Sequence, residues 1–191
     1  MDNLAYNEEF YRDERKSELI DGETVMMSPR PRLNHGTVCT NIVSEFRQYL
    51  KGKTCRAFCD GVDLFLDERN HFIPDVMIVC NKDIMKHDGI HGAPDLVVEV
   101  LSSSTTKNDR WKKRYAYGRA GVKEYWIADP MNCTIEVYYN KDGELVIDNV
   151  YVTLTDKPEN ENIKVSVCDG LTVSLRDVFD YDYEEYESEN K

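Results

Sequence analysis

Pro94-Asp95-Leu96-Val97-Val98-Glu99-Val100-Leu101, read with its earlier counterpart Ile73-Pro74-Asp75-Val76-Met77-Ile78-Val79-Cys80, decides the fold of this chain. Each run contains a Pro-Asp pair and continues as a short segment rich in Val and Ile. Runs this short and this continuously apolar predict strands covered on both faces, not helices. Glu99 then stands inside a buried strand. An isolated carboxylate there would cost on the order of several kcal/mol, so Glu99 calls for a cation, a metal or a proton as partner. Asp75 marks the start of the first strand. Asp95 also follows a proline and shares a strand face with Glu99, so it is expected to support that site.

Working outward, Ser102-Ser103-Ser104-Thr105 supplies hydroxyl N-caps, and the pattern predicts a helix from about Thr106 to Ala120, stopped by Gly121. That helix is unusually basic: Lys107, Arg110, Lys112, Lys113, Arg114 and Arg119 are opposed by Asp109 alone. Upstream, Val38, Ile42, Phe46 and Leu50 recur every four residues, which predicts an amphipathic helix from Leu33 to Leu50. Arg56–Cys59 and Val62–Leu66 read as strands, and 81–93 reads as a polar surface connection. Glu124–Asp129 reads as a strand ended by Pro130. Asp21-Gly22 and Asp142-Gly143 each divide two apolar segments, predicting hairpins over 18–27 and 134–152. Val165 to Leu175 supplies one more extended segment around Asp169-Gly170. The order is helix, three strands, helix, strand (αβββαβ), an α/β (α+β) pattern with hairpins added at both ends.

Length and composition limit the function classes. The 191 residues suit one domain, and 41% hydrophobic content fills a sizeable core. No charged-then-apolar leader opens the chain, and no apolar run approaches the roughly 20 residues of a membrane span, so a cytoplasmic protein is expected. The six cysteines form no CxxC pair, which predicts reduced thiols rather than disulfides or zinc. A net charge of −12 argues against nonspecific coating of nucleic acid unless basic residues gather on one face. The acidic tail over 181–191 is expected to be disordered.

The residues also carry a resemblance. Ile73-Pro74-Asp75, Gly92-Ala93-Pro94-Asp95 through Ser102, Asp109 with Lys113 and Tyr117, and Gly121-Val122-Lys123-Glu124-Tyr125-Trp126-Ile127-Ala128-Asp129-Pro130 occur in the order seen in the Uma2 family. Those are restriction-endonuclease-like proteins of bacteria within the PD-(D/E)xK nuclease superfamily. The likeness takes in Glu18 to Glu23 and spans about residues 8 to 180 of a single domain covering 1–191. It implies a restriction-endonuclease-like core, a central mixed sheet flanked by helices, and a divalent-metal nuclease site at its middle.

On that resemblance, Asp75 and Glu99 are the expected ligands of Mg²⁺ or Mn²⁺, which favour carboxylate oxygens, waters and phosphate. The expected substrate is DNA, its backbone contacted by Lys107, Arg110, Lys112 and Arg114, with no membrane partner and a homodimer as the assembly to test. The superfamily places a lysine two residues after the glutamate, where this chain has Leu101. Lys113 is the expected replacement. It shares a helix face with Asp109 and Tyr117, and its substitution by Met is expected to abolish cleavage with folding nearly intact. Glu18 and Glu23 are outer candidates for the metal's neighbourhood. The rival reading is a nuclease fold that has lost its chemistry and binds nucleic acid or protein.

Other motifs carry less. His87-x₃-His91 has zinc-helix spacing but includes Gly89, in a loop context. Gly52-Lys53-Thr54 lacks the first glycine and preceding strand of a phosphate loop. Ser102 to Ser104 lack a nucleophile elbow. Trp111, Tyr115, Tyr125 and Trp126 read as core aromatics before base-stacking platforms.

Overall fold

The computed structural model describes residues 17–27, 32–102, 108–153 and 161–180. Lys107, the tail over 181–191 and the hydroxyls of Ser103, Ser104 and Thr105 lie outside them. In chain order the first hairpin is β1 (Ser17–Ile20) and β2 (Glu23–Met26), followed by helix α1 (Leu33–Leu50). Next come β3 (Arg56–Cys59), β4 (Leu64–Asp67), β5 (Asn70–Phe72), β6 (Val76–Val79), β7 (Met85–Lys86), β8 (Gly89–His91) and β9 (Leu96–Val100). A π-helical turn, Asn108–Lys113, leads into α2 (Arg114–Ala120). β10 (Glu124–Asp129), β11 (Thr134–Lys141), β12 (Glu144–Val152), β13 (Asn162–Lys164), β14 (Thr172–Ser174) and the short α3 (Leu175–Val178) complete the described chain.

The central sheet runs β12-β11-β10-β9-β6-β3. β6 lies antiparallel to β9, and β9 parallel to β10, with α2 in the crossover between the last two. Every residue of β6 and β9 is buried, as two-sided cover requires. Side-chain alternation divides them between two cores. Val76, Ile78, Leu96, Val98 and Val100 face α1, β13, β14 and α3, while Met77, Val79, Val97 and Leu101 face Tyr117 of α2 and the second sheet. That second sheet runs β2-β1-β5-β4-β8-β7. Its Ile20, Leu64, Phe72 and Ile90 are almost fully buried and cover the face that carries Glu99.

The 18–27 hairpin therefore packs on the central sheet as part of a second layer, and the 134–152 hairpin extends the central sheet through β10. Three expectations are corrected. Residues 81–93 are not merely a surface connection: β7 and β8 add to the second sheet, and Ile90 is 2% exposed. Strands of two and three residues show no periodicity, so only a tertiary partner reveals them. Here β4 supplies it, and a side chain at Gly89 would bring a Cβ within 2.4 Å of the Asp63 carbonyl oxygen. Second, Val165 to Leu175 is not one extended segment; β13 and β14 pair across a turn that contains most of it. Third, Cys55 and Cys80 form a disulfide, one step beyond the Arg56–Val79 pair of β3 and β6. Spacing along the chain could not anticipate it, since the two cysteines are brought together by strand register.

Candidate active site

β6 and β9 are in register at Val76–Val98, so one further step places Asp75 opposite Glu99. The Asp75 carboxylate is fixed from that strand: Oδ2 accepts the Val100 backbone N–H at 2.7 Å. Glu99 is 3% exposed, and its Oε1 accepts the Tyr117 hydroxyl at 2.7 Å and the Lys113 ammonium at 3.2 Å. Lys113 comes from the last residue of the π turn and Tyr117 from one turn further, as their four-residue spacing requires. The π turn replaces the regular first turns expected of this helix, and the Tyr125 hydroxyl of β10 donates to the Asp109 carbonyl at 3.1 Å.

Lys113 also contacts Glu18 Oε1 at 2.8 Å and Asp109 Oδ1 at 3.4 Å. Glu18 projects inward from β1 and accepts the Ile73 N–H at 3.0 Å, so the second sheet closes this side of the site. Glu18, Glu99, Asp109 and Lys113 are each under 5% exposed. Three buried carboxylates thus face one ammonium. Burial pushes the Glu99 carboxyl well above the ordinary range; Lys113 opposes that push, while Asp109, Asp75 and Glu18 add to it. Burial acts to lower Lys113, but Glu99, Asp109 and Glu18 outweigh it and hold the ammonium charged. Tyr117 is raised by burial and then by Glu99, so it remains a neutral donor.

The outer edge is more open. Asp75 and His35 side chains are 15% and 14% exposed, with His35 Nε2 3.4 Å from Asp75 Oδ1. Burial would lower His35, but the bond to Asp75, its charge, Asp60 and the Val100 backbone leave it raised. Cys39, one turn after His35 on α1, puts Sγ 3.6 Å from His35 Nδ1. Its thiol is pushed up by burial and then by Asp75, Asp60 and Glu99.

Of the residues expected from sequence, Asp75, Glu99 and Lys113 are brought together. Arg110 pairs with Glu136 of β11, and Lys112 meets Glu23 at 2.9 Å, which places Glu23 at the rim rather than at the centre. Arg114 lies over the Tyr138 ring at 5.2 Å. Asp95 sits at the opposite end of β9, where Oδ1 meets Lys123 at 2.7 Å and Oδ2 accepts the Cys80 N–H, so it does not support Glu99. Tyr125 and Trp126 are buried as expected, whereas Trp111 and Tyr115 are 67% and 65% exposed and are not core. His35 and Cys39 were not legible as site residues. Nothing in their spacing on α1 says that the helix starts beside Asp75.

Asp75 and Glu99, on paired strands, are the carboxylates that could hold a hard divalent cation, whose preferred ligands are oxygens.

A crystal structure of a protein from Anabaena variabilis, titled as a putative nuclease belonging to DUF820, superposes with a TM-score of 0.69 at 23% identity. The match covers 88% of this chain and 92% of that one, and it shows the shared fold. An uncharacterized protein of Synechocystis is 28% identical over 158 residues, 81% of this chain and 82% of its own length. The family model Uma2, described as "Putative restriction endonuclease", matches residues 5–176, and the chain belongs to that family.

Proposed function

We propose that the chain is a metal-dependent nuclease that hydrolyses DNA phosphodiester bonds, with Asp75 and Glu99 holding Mg²⁺ or Mn²⁺ and Lys113 beside them. The observation that carries this reading is the position of the Lys113 ammonium, 3.2 Å from Glu99 although it stands 14 residues later on another element. The lysine two positions after the glutamate is replaced by Leu101, which is buried in the core. An ammonium's electrostatic role depends on where the charge sits, not on which backbone segment delivers it. Such an ion, when bound, neutralises charge on phosphoryl oxygens and lowers the pKa of bound water.

The chain's own groups prepare the site. Val100 N–H orients Asp75, while Tyr117 and Lys113 orient Glu99. Around it, Lys112 and Arg114 offer charge to a phosphate backbone, and exposed Trp111 and Tyr115 offer faces for stacking. Lys107 and Arg110 belong to the same basic stretch, Arg110 being shared with Glu136.

One observation favours the rival, a binding module without chemistry: Lys113 is 2% exposed and contacts three carboxylates. Nicking of supercoiled plasmid decides between them. Wild-type protein is expected to nick in Mg²⁺ and to stop in chelator, and Glu99→Gln to lose at least about 100-fold in rate, the loss of one preorganised group that would hold the ion. Tight DNA binding with no Mg²⁺-dependent nicking, or nicking unchanged in Glu99→Gln, overturns the enzyme reading.

A further inference from the structure

His35, Cys39 and Asp75 each offer one ligand atom, and these three atoms lie within 4.8 Å of one another. We infer that this triad is a second metal site, selective for a borderline ion of the Zn²⁺ class, sharing Asp75 with the carboxylate pair. This inference rests on the fold and does not depend on the nuclease reading.

Three features carry it. His35 and Cys39 are four apart on α1, so they share a helix face, and that face abuts the start of β6. Cys39 is 8% exposed and Asp75 is held by Val100 N–H, so two donors are already fixed in place. The chemistry is mixed: imidazole nitrogen, thiolate sulfur and carboxylate oxygen suit Zn²⁺, whereas Mg²⁺ takes oxygen and water. Asp60 acts electrostatically on both His35 and Cys39, adding negative charge at the same place.

The geometry needs modest closure. Around a tetrahedral Zn²⁺, ligand atoms at about 2.0 to 2.3 Å from the ion lie roughly 3.3 to 3.8 Å from one another. His35 now turns Nδ1 to Cys39 and Nε2 to Asp75, and a single ion takes only one of them. Rotation of the His35 ring and of the Cys39 thiol supplies the change, and the ion displaces the thiol proton. Three protein ligands leave a fourth position for water, the arrangement of reactive rather than purely structural zinc sites.

The test is titration of Co²⁺ into the full-length protein in a non-chelating phosphine reductant, reading the thiolate-to-cobalt charge-transfer absorption. Wild-type protein is expected to develop that band with one equivalent of Co²⁺ and to lose it to Zn²⁺ but not to excess Mg²⁺. Cys39→Ser should abolish the band, and His35→Asn should weaken Co²⁺ binding beyond the roughly 10- to 100-fold that changes to outer partners cause. Cys59→Ser should leave the band in place, since the Cys59 thiol is not one of the three donors. Circular dichroism of each variant, with His35→Asn at the solvent-reached ligand, keeps the result interpretable if Cys39→Ser folds poorly. Absence of a thiolate–cobalt band in folded wild-type protein, or a band that survives in folded Cys39→Ser, overturns the site. Because no cleavage is measured, the outcome is separable from that of the plasmid experiment.

Discussion

At the scale of single residues, Glu99 and Lys113 determine one another. Glu99 in the folded chain retains a proton that an unfolded carboxyl releases, because burial raises it more than Lys113 lowers it. Its contribution to stability is therefore present below the ordinary carboxyl range, about 4 to 5, and is lost as pH rises towards the raised folded value. Glu124 and His35 are raised too and slope in the same direction, so the informative quantity is the difference from Glu99→Gln. In chelator, urea midpoints taken at about pH 5 and about pH 8 are expected to fall less for Glu99→Gln than for wild type. Equal falls would show that Glu99 is not the carboxyl held protonated. Lys113→Met was expected to leave folding nearly intact. With three carboxylates within 3.4 Å of its ammonium, the same substitution is now expected to cost about 3 to 5 kcal/mol by stranding buried charge. Lys112→Met removes only an exposed pair with Glu23 and should stay within about 0.5 kcal/mol in the same assay.

At the scale of elements, α2 delivers Lys113 and Tyr117 only if its C-terminal half is seated on the β11–β12 hairpin. Gly118 makes that seat: a Cβ there would lie 2.8 Å from the Gly143 carbonyl oxygen and 3.1 Å from the Leu145 nitrogen. Asn140 locks the same contact, donating to the carbonyls of Gly118 and Val122 at 2.8 Å each. Alanine would gain about 1 kcal/mol in helix propensity, but overpacking against backbone costs about 1 to 3 kcal/mol. Gly118→Ala is therefore expected to lower the urea midpoint; a rise would mean the helix is free to move off the hairpin. Element type was readable where periodicity is long. The four-residue recurrence of Val38, Ile42, Phe46 and Leu50 predicts α1 with the boundaries observed, and Gly121, at φ 97°, stops α2 where a left-handed cap is needed. The π turn over Asn108–Lys113 was not readable, since its residues carry an ordinary helical pattern and the partner of Asp109's carbonyl comes from β10.

At the scale of the whole molecule, the central sheet has an apolar core on each face, and among the described residues the second sheet shares the core on one of those faces and has no other. One cooperative unfolding transition is expected for this reason, with fluorescence and circular dichroism midpoints coinciding. Limited proteolysis should release no folded fragment beginning near Asn132, because β11 pairs with β10 from Glu124–Tyr139 to Asp129–Thr134. Among the described residues no helix is long and apolar enough to cross a membrane. The sequence by itself determined the two buried Pro-Asp strands, helix α1, the end of α2 at Gly121 and the hairpins, because local periodicity and turn chemistry are properties of neighbouring residues, whereas Asp75, Glu99 and Lys113 are named together on the family resemblance. Only the tertiary structure decided that Glu18 closes the site, that Asp95 stands away from it, that Cys55 meets Cys80, and that His35 and Cys39 reach Asp75. Those contacts join segments whose separation in sequence carries no period, and each depends on register and layer packing that exist only once the two sheets and α1 have come together.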